Sequence, residues 1–197
     1  MTKKVELTTK IIGGKYKNKR LTLPSKTVTR SSKSRLKESL FNTLQFDILD
    51  QNFIEVFAGS GSIGLEAISR GASMAYFIEI DAMSYKILQS NCRLIDPTHC
   101  KTYLADAFIQ LPKIIEALAD ENKKAYIYID PPFLIRKGHE NIYQKIVRMI
   151  EEIYQEAVLK IIIEHMTQVD FPKKIGNFSL NKRKKFGKSS LSYYSAF

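Results

Sequence analysis

Glu55-Val56-Phe57-Ala58-Gly59-Ser60-Gly61-Ser62-Ile63-Gly64 joins the end of an apolar run, Phe53–Phe57, to a helical pattern running from about Ser62 to Arg70. Gly59, Gly61 and Gly64 form a G-x-G-x-x-G turn, in which glycine lets the backbone bend sharply and approach a ligand closely. One strand later, Glu79 lies near the end of Tyr76-Phe77-Ile78-Glu79-Ile80-Asp81, where a carboxylate can accept hydrogen bonds from the two hydroxyls of a ribose. NAD, FAD and S-adenosylmethionine all fit such a turn. Glu55, placed to hold a cationic amino-acid group, and the lack of an arginine beside the turn favour S-adenosylmethionine.

Outward from this turn, strands and helices alternate. Met74–Ile80, Cys100–Leu104, Ala125–Ile129 and Val158–Glu164 read as strands, and Ala82–Ile95, Phe108–Ala119 and Asn141–Tyr154 as helices. The alternation predicts a mostly parallel sheet with helices on both faces. The tail, Phe178–Lys185 and Ser189–Ala196, has no helix between its strands and reads as an antiparallel hairpin at the sheet edge. Before the turn, Lys33–Leu44 places Leu36, Leu40, Phe41 and Leu44 on one helical face, with Ser31, Ser32 or Ser34 available as N-cap. Earlier still, Thr9–Ile12 and Arg20–Leu23 flank a Gly/Asn/Lys turn and predict a small β-hairpin that must pack on the rest of the chain. Residues 1–30 are thus expected to form a basic extension and 31–197 the main domain.

Two further strand ends carry chemistry. Asp130-Pro131-Pro132-Phe133 closes the fourth strand of the alternation. The two prolines lack N–H groups and have fixed φ, so they form a rigid extended ledge. Asp130 and the Pro131 carbonyl can accept the hydrogens of a flat amine while Phe133 stacks on its ring, which aims the nitrogen lone pair at a methyl donor. Asp106 ends the third strand. It suits an adenine amino group and equally suits the N-cap of the next helix.

The 197 residues carry a net charge of +11, with 44% hydrophobic and 26% charged residues. These values fit one folded domain and argue against wholesale disorder. No run approaches the ~20 apolar residues of a membrane span, and the first residues lack the apolar core of a secretory signal. Cys92 and Cys100 are too few for a disulfide scaffold or zinc ribbon and read as small buried apolar residues. His99, His139 and His165 lack ligand spacing, so no metal site is expected, and His165 reads as a plain surface residue. The expected compartment is the cytoplasm and the expected state a monomer. Residues 1–37 hold twelve Lys/Arg against one acid, and residues 171–197 hold seven against none, whereas 38–170 hold twelve against nineteen. Basic ends on an acidic middle suggest a polyanion footprint, most simply nucleic acid.

The order Phe57-Ala58-Gly59-Ser60-Gly61, Gly64-Leu65-Glu66-Ala67, Ile78-Glu79-Ile80-Asp81, Ala105-Asp106-Ala107 and Asp130-Pro131-Pro132-Phe133 resembles the class I methyltransferases, and in particular the RsmD family of 16S rRNA guanine-N2 methyltransferases. The likeness extends to Ile11-Ile12-Gly13-Gly14-Lys15, to Arg35-Leu36-Lys37-Glu38-Ser39-Leu40-Phe41-Asn42 and to Phe186-Gly187 with Leu191 and Tyr194. Essentially the whole chain is covered. Departures are Arg30-Ser31-Ser32 in place of Arg-Pro-Thr, Ser34 in place of Asp, and Glu55 where Asp is usual.

The resemblance implies a Rossmann-like fold with a seven-stranded sheet, and S-adenosylmethionine as cofactor, leaving as S-adenosylhomocysteine. It implies cofactor contacts at Glu55, Phe57, Ala58, Gly59, Ser60, Gly61, Gly64, Glu79, Ile80, Asp106, Ala107 and Asp130. Catalysis falls to Asp130, Pro131, Pro132 and Phe133. The partner implied is 16S rRNA within a small-subunit particle, with Lys15, Lys17, Lys19, Arg20, Arg30, Lys33, Arg35 and Lys37 on its phosphates, or else Lys182–Lys185. A DNA amino-methyltransferase, an NAD-dependent dehydrogenase and a silent RNA-binding assembly factor are the competing readings. The first would more often carry an Asn-Pro-Pro-Tyr ledge, the second lacks a nameable acid/base pair, and the intact ledge argues against the third.

Overall fold

A computed structural model describes residues 7–24, 30–132 and 142–196, with side chains from Ser34 onward in the second stretch. The elements are β1 (Thr8–Lys10), β2 (Arg20–Thr22), α1 (Arg30–Leu44), β3 (Asn52–Val56), α2 (Gly64–Ser69), β4 (Met74–Glu79), α3 (Ala82–Ile95), β5 (Cys100–Leu104), α4 (Ala107–Asp120), β6 (Ala125–Ile129), α5 (Ile142–Glu152), β7 (Val158–Met166), β8 (Lys174–Ile175), β9 (Phe178–Phe186) and β10 (Ser189–Ala196). One 3₁₀ turn, Gln155–Ala157, precedes β7.

The main sheet has eight strands in the order β5-β4-β3-β6-β7-β10-β9-β8. The first five run parallel, and β10 inserts antiparallel between β7 and β9. The extra strand over the expected seven is β8, whose two residues pair with β9. So short a run carries no periodicity. Helix α1 begins at Arg30, earlier than its apolar spacing indicates, so Ser31, Ser32 and Ser34 lie inside the helix and none is its N-cap. The first hairpin strand is Thr8–Lys10, shifted toward the N-terminus from the expected Thr9–Ile12.

Because β3, β4 and β6 are covered on both faces, they read as nearly continuous apolar runs. Ile54, Val56, Ile78, Ile127 and Ile129 meet α4 and α5 on one face. Phe53, Phe77, Tyr126 and Tyr128 meet α1, α2, α3 and the hairpin on the other. Successive connections turn to opposite sides of β3: β4 and β5 lie one way, β6 and β7 the other. The C-terminal ends of β3 and β6 therefore diverge around the crevice where ligands bind in sheets of this kind. The Gly59–Gly64 turn follows β3 and the Asp130–Pro132 ledge follows β6, so both border that crevice.

The two-stranded β1–β2 ribbon is too small to fold alone. It is fixed to the main domain by buried polar groups. Glu66 on α2, fully buried, accepts from the backbone N–H groups of Ile12 and Gly13 at 2.8 Å each and from Arg70 Nε at 2.9 Å. Its second cationic partner is Lys37 Nζ at 3.3 Å. Ser69 accepts from the Tyr16 N–H at 2.9 Å and donates to the Gly13 carbonyl at 2.6 Å, while Tyr16 Oη donates to Asp96 at 2.8 Å.

Removing one member of a buried ion pair strands the other, at a cost of roughly 3–5 kcal/mol. Glu66→Ala is expected to lower unfolding free energy by about that amount in urea titration. A loss below about 1 kcal/mol, the range of exposed pairs, would show that water replaces the carboxylate without cost.

Candidate active site

Three strand-end carboxylates brace the crevice. Glu55, on β3, is 4% exposed. It accepts from the Ile63 N–H at 3.3 Å and the Gly64 N–H at 2.7 Å, at the start of α2. Burial pushes its carboxyl up from 4.5 to about 8, with the nearby Asp130 charge adding to the rise and the two N–H bonds and Lys37 opposing it. Glu79, at the end of β4, accepts from the Gly59 N–H at 2.7 Å and the Asp81 N–H at 2.7 Å. Asp130 follows β6, its N–H reaching the Val56 carbonyl at 3.4 Å.

The turn itself is shaped by backbone requirements. Gly61 has φ +75°, and a Cβ there would sit 2.5 Å from Leu88 Cδ1. Gly59 has φ +55°, and its missing Cβ faces open space, with no atom within 4 Å. Gly61 is needed for packing, and Gly59 leaves room for a close-lying ligand. Phe57 holds φ +60°, unusual for a non-glycine residue. That backbone delivers its ring edge-on to Phe108, with centroids 5.9 Å apart, so the mouth of the turn is tied to the start of α4.

Asp106 is the N-cap of α4, accepting from the Phe108 N–H at 2.9 Å. One carboxylate oxygen is engaged in capping, and the exposed side chains of Ile80, Leu104 and Ile109 lie on the neighbouring strand and helix ends. Ala58 and Ser60 are buried in the turn, as is Ala107 at the first position of α4. Pro131 is buried and Pro132 exposed, which gives the ledge one inner and one outer face. Phe133 lies outside the described residues.

Of the basic residues expected on phosphates, Lys15, Lys17, Lys19, Arg20 and Arg35 are exposed. The side chains of Arg30 and Lys33 lie outside the described residues. Lys37 differs from the expectation. It is 4% exposed, its ammonium donating to the Lys10 carbonyl at 2.8 Å and facing Glu66. Burial lowers its pKa despite that carboxylate. One residue after Leu36 on the helix, it shares the inward side, and charge alone does not distinguish it from Arg35. His165 is likewise fully buried rather than on the surface. Its Nδ1–H donates to the Met166 carbonyl and its Nε2 accepts from Ser192 Oγ at 2.8 Å. Desolvation lowers its pKa.

Two residues that no motif marked out support the site. Asn91 on α3 is 2% exposed. Its Oδ1 accepts from the Thr22 N–H at 3.0 Å, and its Nδ2 donates to the Thr22 carbonyl at 3.0 Å and the Ser60 carbonyl at 2.8 Å. One side chain thus completes the edge of β2 and fixes the middle of the glycine turn. Under the ledge, Tyr128 Oη donates to the buried carboxylate of Glu164 across β6 and β7. Tyr128 could have been found by its position two residues before Asp130. Asn91 had no sequence signal.

Strand-end carboxylates around a glycine turn at the switch point, facing a proline ledge, define the class I methyltransferase architecture. The family described as Conserved hypothetical protein 95 matches residues 9–195, and the chain belongs to it. Ribosomal RNA small subunit methyltransferase D of Escherichia coli is 28% identical over 188 residues, covering 94% of this chain and 88% of the relative. YlbH of Bacillus subtilis, whose name proposes an rRNA methyltransferase, is 28% identical over 189 residues, covering 94% and 97%. The solved structure of the Escherichia coli protein yhhF superposes with a TM-score of 0.73 at 28% identity, covering 96% of this chain and 98% of that one. A more distant neighbour, SMU.776, solved with S-adenosylhomocysteine, shares the fold at a TM-score of 0.63 and 12% identity, over 89% of this chain and 52% of that one.

The raised Glu55 carboxyl gives ligand binding a pH signature. An acid whose folded pKa exceeds its unfolded one keeps its proton in the folded chain, so ligand-free stability falls as pH rises from 4.5 toward 8. A cation placed on Glu55 favours the ionised form, so binding below pH 8 expels a proton. Affinity for S-adenosylhomocysteine, which retains the ammonium group, is expected to climb by up to about tenfold per pH unit before levelling off near 8. Calorimetry at pH 7 in two buffers of different ionisation enthalpy counts the proton, and a count of zero removes Glu55 as the cation's partner.

Asn91→Ala is expected to weaken binding of the same ligand about tenfold through loss of the Ser60 anchor, for it leaves buried partners unpaired. Unchanged affinity would show that the glycine turn holds itself.

Proposed function

We propose that this protein transfers a methyl group from S-adenosylmethionine to the exocyclic N2 amine of a guanine in small-subunit rRNA. The observation that carries this is the Asp130-Pro131 ledge at the end of β6, directly across the switch-point crevice from the Glu55–Gly64 turn. The names of the Escherichia coli and Bacillus subtilis relatives support rRNA as the acceptor class.

The residues present fit the cofactor. Open space at Gly59 admits a close-lying ligand, Glu55 offers a carboxylate to an ammonium group, and Glu79 retains lone pairs for ribose hydroxyls. Asp106, with the apolar rim of Ile80 and Leu104, suits adenine. S-adenosylmethionine, when bound, supplies an electrophilic methyl on a sulfonium.

The chain's own contribution is positional. Guanine N2 is a weak nucleophile because its lone pair is delocalised into the ring. Asp130 and the Pro131 carbonyl accept its two hydrogens in hydrogen bonds and turn the lone pair toward the donor, and the proton that the amine loses on methylation passes to Asp130 or to water. Pro131 and Pro132 keep that carbonyl out of any helix and in a fixed direction. The base reaches the ledge from an unpaired loop or by leaving its stack. Exposed Arg20 and Arg35, with the hairpin lysines, supply sequence-independent phosphate contacts.

The test is tritium transfer from labelled S-adenosylmethionine to small-subunit particles from cells lacking this gene, followed by nucleoside analysis. N2-methylguanosine in 16S rRNA is the expected product. Label on adenosine or cytidine would overturn the base assignment, and transfer to DNA alone would overturn RNA as substrate. Asp130→Ala is expected to lower kcat by about a hundredfold or more while the dissociation constant of S-adenosylhomocysteine stays within about threefold. Equal loss of both would make Asp130 a cofactor ligand and not an orienting group.

A further inference from the structure

The tip of the N-terminal hairpin is not beside the ledge. Tyr16 is held by Ser69, the last residue of α2, and by Asp96, the residue closing α3, while the Lys15 N–H donates to the Ser69 carbonyl at 2.7 Å. Both helices run back from the crevice, so these ends lie where β4 and β5 begin. The Ser73 N–H on the Gln51 carbonyl and the Ala75 N–H on the His99 carbonyl fix that level. The root of the hairpin, Thr22, is the part clamped by Asn91 to the glycine turn. The hairpin thus runs alongside α2 and α3, root toward the crevice and tip away from it. At about 3.3 Å per residue, the five to six residues of β3 and β4 put the tip roughly 15–20 Å from the strand ends that carry Asp130 and Glu79.

At this distal tip Lys15, Lys17 and Lys19 are exposed. Among the described residues no carboxylate lies within ion-pair distance of any of the three, and Lys15 rests over the Tyr16 ring. Their backbone is rigidly held. Besides the anchors above, the Ile11 N–H donates to the Lys19 carbonyl and the Asn18 N–H returns to the Ile11 carbonyl. Gly14, at φ +74°, packs so closely on the Ser69 carbonyl that a Cβ would overlap it. Exposed ammonium groups on a fixed scaffold, with no carboxylate in ion-pair contact among the described residues, in a chain whose first 37 residues have a large basic excess, suit a row of phosphates.

We propose that Lys15, Lys17 and Lys19 form a second RNA contact, separate from the crevice, that takes the phosphate backbone of a different rRNA segment from the one carrying the methylated base. This rests on the rRNA methyltransferase reading for its substrate. It goes beyond that reading by dividing the footprint in two. The crevice selects the base and the hairpin tip binds a second stretch of backbone in the folded RNA.

The experiment uses the full chain with small-subunit particles. A photo-crosslinking amino acid at residue 17 is expected to capture rRNA nucleotides that are not adjacent to the tritium-labelled one. In parallel, Lys15→Gln/Lys17→Gln/Lys19→Gln is expected to weaken particle binding about tenfold and to flatten the slope of log affinity against log salt by about 2–3. S-adenosylhomocysteine affinity, unchanged, reports an intact fold. Crosslinks confined to nucleotides flanking the methylated base would overturn the proposal, as would crosslinks to ribosomal proteins alone or an unaltered salt slope. If no RNA accepts label yet the distal crosslinks and flattened slope persist, the methylation reading falls and the second contact stands.

Discussion

Glu66 is the constraint on which the arrangement rests. A carboxylate with no solvent exposure is costly to desolvate, and it is tolerated only when its lone pairs are filled and its charge is met. Here two backbone N–H groups, one guanidinium and one ammonium do so. These four donors come from three parts of the chain: the hairpin, α1 and α2. Satisfying one buried group therefore fixes the orientation of all three. Because α2 is the helix opened by the glycine turn, the same carboxylate also fixes where that turn stands relative to the hairpin. Lys37 and Arg70 are drawn inward for this reason. Arg70 also lies over the Phe41 ring at 5.1 Å, so the ionic cluster is sealed by the aromatic core of α1.

The crevice shows the complementary situation. Glu55 on β3, Glu79 at the end of β4 and Asp130 just after β6 lie at the C-terminal ends of three adjacent strands. Parallel neighbours ~4.8 Å apart bring like charges together, and burial leaves Glu55 holding its proton to about pH 8. Excess buried acid with a raised pKa is the environment the proposed function uses to hold a cation. Glu66 differs from Glu55 in this respect. Glu66 has cations of the chain itself, Lys37 and Arg70, in its shell and is structural, whereas among the described residues Glu55 has only backbone N–H groups in hydrogen-bond contact. The same residue type, eleven positions apart, serves opposite ends because of what the fold brings to each.

Much of this was legible in the sequence. The glycine spacing, the alternation of strands and helices and the placement of polar residues at strand ends are local patterns. The helix Ala82–Ile95 and the strands Cys100–Leu104 and Ala125–Ile129 have the bounds those patterns indicate. What escaped depends on contacts between distant segments. Lys37 and Arg35 have the same charge and opposite environments because helical phase, not composition, decides burial. Asn91 lies in an ordinary amphipathic stretch, and its role exists only because Thr22 and Ser60 arrive on either side of it. His165 is drawn into the core by Ser192 from a strand 27 residues away. β8 is too short to show a period, and it exists because β9 offers it an edge.

The division of charge along the chain also acquires a different meaning in three dimensions. Of the N-terminal basic residues, Lys10, Lys15, Lys17, Lys19 and Arg20 lie on the hairpin against α2 and α3. Most of the C-terminal excess lies on β9 and the turn after it, beyond β7 and β10, on the other side of the crevice. There Lys182, Lys185 and Lys188 are exposed, whereas Lys184 donates to Ser39 and Thr43 of α1 at 3.0 and 2.9 Å and Arg183 donates to the carbonyls of Thr167 and Val169. Along β9 and the turn after it, five basic side chains are thus divided between packing and solvent. The remaining exposed charge is split between two flanks. A polyanion attracted to both would be steered across the crevice between them, as the proposed function requires. The acidic character of the middle of the chain is consistent with this. Its carboxylates at the crevice are braced by backbone N–H groups and would repel a phosphate placed directly over them. In the proposed function the flanks hold the backbone while the crevice takes a cationic cofactor and an uncharged base.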